Sequence, residues 1–344
     1  MKRRISVLLL LLVLCAVLCF PTLAADGEDD EFYIKGETLL KYNGAGGDVV
    51  IPDGVTMIYA GAFHDCDGLE SIVIPDGVIS VSSNAFDGCV NLTEVSIPSS
   101  VVVIGVEAFL GCGKLESITI PDGVVEIADG AFADCVALAS VDIPPSVKSI
   151  RQRVFSGCTN LAHVTIPDGV TSIDSCAFEG CKSLESIFIP GSVTTIGGSA
   201  FEGCTGLTSL TISEGVSYIG PFAFAACTGL TEVSVPDSVT DLGGSAFAKC
   251  TQLETVWVSK QFADDFEMTY QYVFPDGCEL AIRGSTAASA HAVAAPAATI
   301  VLAVVGAIAV AAAVIIAVRK YRAEHPKPRR RGSVTVTRRT IDKR

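Results

Sequence analysis

Imidazole side chains are scarce in this sequence. Histidine occurs four times in 344 residues, and only His64 and His163 lie in its central region. No nucleophile is spaced with a base, no glycine-rich loop is built for phosphate, and no His/Cys group has metal-ligand spacing. Nucleophilic catalysis needs an activating base, and a zinc site needs four converging ligands, so the residues support neither an enzyme nor a metal or cofactor protein. Tryptophan occurs once, at Trp257.

Positive charge is missing from most of the chain. Of 24 Lys/Arg, 3 lie in the first four residues and 11 follow residue 318; the remaining 10 face 36 of the 38 Asp/Glu. A surface this acidic repels nucleic acid and anionic membranes, and suits cationic partners.

The two ends differ from the centre. Lys2, Arg3 and Arg4 precede an apolar run and a small-residue boundary at Ala24, which predicts a secretory signal peptide over residues 1–24. Residues 297–318, AATIVLAVVGAIAVAAAVIIAV, form an uncharged run of 22. As a helix it would be roughly 33 Å long, enough to cross a bilayer. Residues 319–344 carry the 11 basic residues and 2 acids, which predicts a cytoplasmic tail and a single-pass protein of the cell membrane with its N-terminal part outside. An Ala/Ser-rich stalk is expected over 285–296.

Between these ends the chain repeats. Cys66, Cys89, Cys112, Cys135, Cys158, Cys181, Cys204, Cys227 and Cys250 stand 23 residues apart, and phenylalanine keeps the same step from Phe63 to Phe247. Leucine does so from Leu69 to Leu253. No insertion or deletion interrupts the register, and a fixed period of this length predicts a solenoid. In each unit an alternating stretch such as Leu69-Glu70-Ser71-Ile72-Val73-Ile74 reads as a short strand. Pro75-Asp76-Gly77 ends it, and Val78 and Val81 suggest a second extended piece. One rung cannot bury its own apolar side chains, so the array must fold together. At about 4.8 Å per step, nine rungs span roughly 45 Å.

The pattern L-x-x-I-x-I-P-D-G-V, with A-F-x-x-C ahead of it, resembles the BspA-like (Treponema pallidum-type) leucine-rich repeat. The resemblance implies an α/β-type repeat solenoid, mostly β, with 23-residue rungs and parallel strands over 48–258. End caps are expected at 25–47, with Phe32-Tyr33-Ile34 as a strand, and at 259–284. The family also implies a surface protein binding other proteins as an adhesin or recognition module, with a host or extracellular matrix protein as ligand. A signalling receptor working through the basic tail is the alternative reading.

Several side chains compete as sites. Cysteines stacked in one column point the same way and cannot converge for a disulfide or a zinc ion, so all nine are expected to be buried packing thiols. Cys176 lies outside the column, where other rungs carry Gly61, Asn84, Glu107, Arg153 and Ser199, and is expected near the surface. Asp53, Asp76, Asp122, Asp168 and Asp237 share a turn position and read as turn chemistry. Asn91-Leu92-Thr93 fits the glycosylation triplet, although Leu92 is a core position. The outward strand positions form a shallow polar face containing Ser117, Asp142, His163 and Ser186. Phe188 and Trp257 interrupt it, and exposed aromatics on such a face are expected interface anchors, with coverage of Trp257 by the C-terminal cap as the alternative.

Overall fold

The structure, a computed structural model, describes residues 30–262, 264, 273–275 and 277–283. Two ladders of short strands run along the repeat, both keeping the 23-residue step. On one side lie Gly47–Val50, Leu69–Val73, Glu94–Ser96, Ser140–Asp142, His163–Thr165, Ser186–Ile189, Ser209–Ile212, Glu232–Ser234 and Thr255–Val258. They fall into four parallel sheets, Gly47–Val50 with Leu69–Val73 and Glu94–Ser96, Ser140–Asp142 with His163–Thr165, Ser186–Ile189 with Ser209–Ile212, and Glu232–Ser234 with Thr255–Val258, in register within each, as in Ser186 with Ser209 and Phe188 with Thr211. On the other side two-residue strands, each carrying one buried aliphatic, run from Met57–Ile58 to Asp241–Leu242. In three rungs proline and a left-handed glycine, Gly54, Gly77 or Gly169, separate the ladders; Gly77 has φ 108°, a conformation open to glycine at little cost.

Each rung is mostly β and carries no helix of the kind an α/β-type solenoid would place on its third side. The third side of each rung is a run of turns, and helical backbone among the described residues is confined to 260–262 and 264. The reason lies in two left-handed positions per rung. One is occupied by Asn84, Glu107, Arg153, Cys176, Ser199, Phe222 and Ser245, all with φ between 54° and 61°. The other, four residues on, holds Asp65, Gly88, Gly111, Asp134, Gly157, Gly180, Gly203, Ala226 and Lys249, also at positive φ. Left-handed residues this close together cannot continue a right-handed helix, and the chain turns back instead.

The interior is a set of aligned columns. Rings from Phe63 to Phe247 stack with centroids 4.9–5.8 Å apart, within the range favoured by aromatic pairs. Tyr42 extends the stack at one end, 4.8 Å from Phe63, and Phe274 at the other, 5.4 Å from Phe247. A strand at Phe32–Lys35 pairs antiparallel with Thr38–Tyr42, while Glu279–Ile282 adds in parallel to Thr255–Val258. Among the described residues no polar or charged side chain is buried, so apolar packing and the backbone ladders hold the rungs together.

The cysteine column does more than fill space. Cys89 through Cys250 are buried and unpaired by disulfides. Each thiol donates to the carbonyl oxygen of the phenylalanine 26 residues earlier, at 3.1–3.3 Å. That oxygen also accepts the backbone N–H of its own rung's cysteine, as Phe63 does from Cys66 at 3.1 Å. Sulfur is a weak donor, but its longer bonds reach across a rung step while its bulk fills the apolar column. Cys66 departs from the expected burial: it is half-buried, because the chain before it does not keep the 23-residue step.

One step of the second ladder is open. Met57–Ile58 through Glu126–Ile127 belong to one sheet and Ser149–Ile150 through Asp241–Leu242 to another. Thr171 N–H bonds to the Lys148 carbonyl and Asp174 N–H to that of Ile150, both at 2.8 Å. The equivalent amides one rung earlier, Lys148 and Arg151, have no such bond to Val125 and Ile127. At the same step Phe132 and Phe155 show the widest ring spacing of the stack, 5.8 Å. Buried Val154 occupies a column otherwise filled by alanines from Ala62 to Ala246, and its two extra methyl groups need the added room.

No helix among the described residues is long and apolar enough to cross a membrane. The expected signal peptide, stalk, membrane span and tail lie outside the described residues.

Candidate functional site

Period-two alternation over residues 71–74 sends Ile72 and Ile74 inward and Ser71 and Val73 outward, while Leu69 is buried ahead of the alternating stretch. Stacking then aligns equivalent outward residues. Ser140 pairs with His163 and Asp142 with Thr165, while Ser117 reaches Ser140 through a single bridge. Ser117 and His163 therefore share one column, and Asp142 and Thr165 the next; the 23-residue step continues these columns to Ser186 and Phe188, whose strand pairs with Ser209–Ile212 in a separate sheet. All of these are exposed. Phe188 is 57% accessible, unusual for an aromatic ring in a strand.

Trp257 behaves differently. It lies between Ser234 and Ala281 in a three-stranded parallel sheet and is half-buried. It is three rungs beyond Phe188, roughly 14 Å away, so the two aromatics form separate features rather than one patch.

The face carries charge of one sign. Asp48, Glu94, Asp142, Glu232 and Glu279 project from it, and Glu70, Glu116, Glu185 and Glu254 line the edge where the chain enters it; all nine are exposed. No lysine or arginine occupies these columns. Counting net charge over the whole chain hides this arrangement; aligning the rungs and reading charge column by column reveals it.

The other candidate positions are chemically quiet. An open cleft of about 330 Å³ at the first rung is lined by Lys41, Tyr42, His64, Asp65 and Cys66, among others. His64 directs Nε2 at Asp65, 3.3 Å away, and Nδ1 at Asp87, 3.4 Å away. Cys66 lines the same cleft, and burial raises its thiol pKa. Cys176 is half-buried rather than freely exposed, and burial followed by the nearby Glu179 raises its thiol pKa. The expected turn chemistry of the aspartates has one elaboration: Glu214 accepts the backbone N–H groups of Asp237 and Ser238, both at 3.0 Å. These bonds hold its carboxyl below the usual carboxylate range. At the glycosylation triplet, the Asn91 amide donates to the Asp67 carbonyl at 2.8 Å, and Thr93 Oγ1 to the Glu70 carbonyl at 2.9 Å.

No curated protein matches the chain. Solved structures similar to it include a leucine-rich repeat protein from Bacteroides ovatus, 25% identical over 76% of this chain and 90% of that one, with a TM-score of 0.45. The Treponema pallidum leucine-rich repeat protein is 24% identical over 70% of this chain and 90% of its own, with a TM-score of 0.44. A leucine-rich cell surface protein from Faecalibacterium prausnitzii is 23% identical over 79% and 97%, with a TM-score of 0.39. The profile of the BspA type leucine rich repeat region matches residues 41–162 and 148–276, in six copies. With its 23-residue rungs, proline-ended strands and continuous Phe and Cys columns, the chain belongs to the BspA-type leucine-rich repeat family.

Proposed function

We propose that this protein is a membrane-anchored, cell-surface leucine-rich repeat protein whose strand face binds other proteins, as an adhesin or recognition module. The observation that carries the reading is the exposure of Phe188 on a flat face of serine, threonine and carboxylate side chains. A large ring held in water at such a position offers an anchor that becomes buried when a partner arrives. The repeat family is a protein-interaction scaffold, which agrees with a binding role. Anchoring rests on the sequence of residues 1–24, 297–318 and 319–344.

The test compares the full-length chain with its Phe188→Asp variant against a panel of purified extracellular matrix proteins. Saturable binding to at least one member, weakened roughly tenfold or more by the substitution, is the expected result. Binding unaffected by Phe188→Asp, with the variant folded, would move the interface off this face.

A further inference from the structure

We propose that the partner of the strand face presents a lysine- and arginine-rich protein surface, and that the nine aligned carboxylates select it. This deepens the preceding reading and depends on it. The face spans ten strands, from Asp48 to Glu279, and carries acids along its length with no lysine or arginine in its columns; Arg283, just past the last strand, reaches Ser234 Oγ at 3.4 Å. Basic residues do occur elsewhere on the rungs. Lys148 follows the proline turn, while Arg151, Arg153, Lys182 and Lys249 lie outside the three face columns. Some compensate acids locally: Arg151 Nε sits 3.2 Å from Asp129 Oδ1, and Arg283 pairs with Asp237. The carboxylates of the strand face lack such basic neighbours within their columns.

Asp48, Glu70, Glu94 and Glu116 follow one another at single strand steps of about 4.8 Å, as do Glu232, Glu254 and Glu279, inside the roughly 8 Å screening length at physiological salt; Glu185 stands two steps, roughly 10 Å, from the next acid along the stack. Their fields therefore overlap, attracting a cationic surface and rejecting an acidic one. Phe188 fits the same partner, since an aromatic face also attracts a guanidinium or ammonium group. Hydroxyl side chains at Ser117, Thr165, Ser186 and Thr211 leave the centre flat enough for close approach.

The experiment uses the full-length chain and a fluorescent oligolysine peptide, with oligoglutamate as control, at low and high salt. One variant carries E70Q, E116Q, E185Q and E254Q; another carries D53N, D76N, D122N and D168N, the same charge change on the turn edge. Circular dichroism checks that both are folded. The proposal expects oligolysine binding that salt weakens, a roughly tenfold loss in the first variant, and near-unchanged binding in the second. Equal losses in both variants, or no oligolysine binding, would overturn it. If Phe188-dependent capture of a matrix protein survives that result, the face still binds protein and only the charge selection fails. If both are absent, the face assignment fails as well.

Discussion

The thiol of Cys89 donates to the carbonyl oxygen of Phe63, 3.1 Å away and one rung earlier. The same relationship joins each later column cysteine to its phenylalanine. It converts a repeating cysteine, which in an exported protein would suggest disulfides, into a rung-to-rung fastener. Replacing Cys158 by alanine removes the sulfur and leaves a gap between packed rungs. A loss of about 1–2 kcal/mol is expected, read as a lower denaturation midpoint; an unchanged midpoint would show that the contact contributes nothing.

The phenylalanine stack is expected to be more sensitive. Phe178 touches rings on both sides, at 5.5 and 5.1 Å. Phe178→Ala should cost about 3–5 kcal/mol. Phe188→Ala, ten residues away but exposed, should stay within about 0.5 kcal/mol. Thermal melts of the two variants make the comparison.

Alkaline pH should destabilise the fold through the same thiols. Burial pushes the Cys89 and Cys250 thiols up to about 12, and Cys135, Cys158 and Cys181 are also held well above the ordinary value. An unfolded thiol ionises near 8.5, so above that pH the unfolded state gives up its proton first. The contribution is therefore complete below about pH 8.5 and lost as pH rises through the window up to the folded values. Each such thiol removes about 1.4 kcal/mol per pH unit there. Melting temperatures should fall steeply between about pH 9 and pH 11, and the fall should shrink in a Cys158→Ala background.

Native-state thiol labelling gives a separate readout. Cys176, half-buried, should react before Cys89 through Cys250, which should wait for unfolding. Rapid labelling of the whole column in folded protein would contradict its burial.

Hydrogen exchange locates the open step. Lys148 and Arg151 amides should exchange faster than Thr171 and Asp174, whose N–H groups are bonded to the preceding rung. Equal protection would mean that the second ladder is continuous at this step.

Most of the rung was legible in the sequence. The spacing of Leu69, Ile72, Ile74, Val78, Val81, Phe86 and Cys89 identifies an inward set, because a solenoid repeats one environment at one position. The mostly-β reading holds, but the α/β-type label does not extend to a helix in these rungs. The reason was visible in the mixture of Gly61, Asn84 and Ser199 at one position, residues that share tolerance of left-handed backbone; Glu107, Arg153 and Phe222 disguise the signal. Cys66 looked equivalent to the other thiols because the sequence pattern begins before the full stack does. The site was legible only as a list of outward residues. Separating exposed Phe188 from half-buried Trp257 required knowing that Glu279–Ile282 adds a strand beside the tryptophan, and no repeat pattern announces that strand.

The most direct measurement is a hydroxyl-radical footprint of the full-length chain, free and bound to whichever matrix protein it captures. Protection concentrated at Phe188 and His163, with Ile79 on the second ladder left reactive, is the predicted result. Protection at Ile79 and its neighbours, with Phe188 still reactive, would contradict the assignment of the strand face.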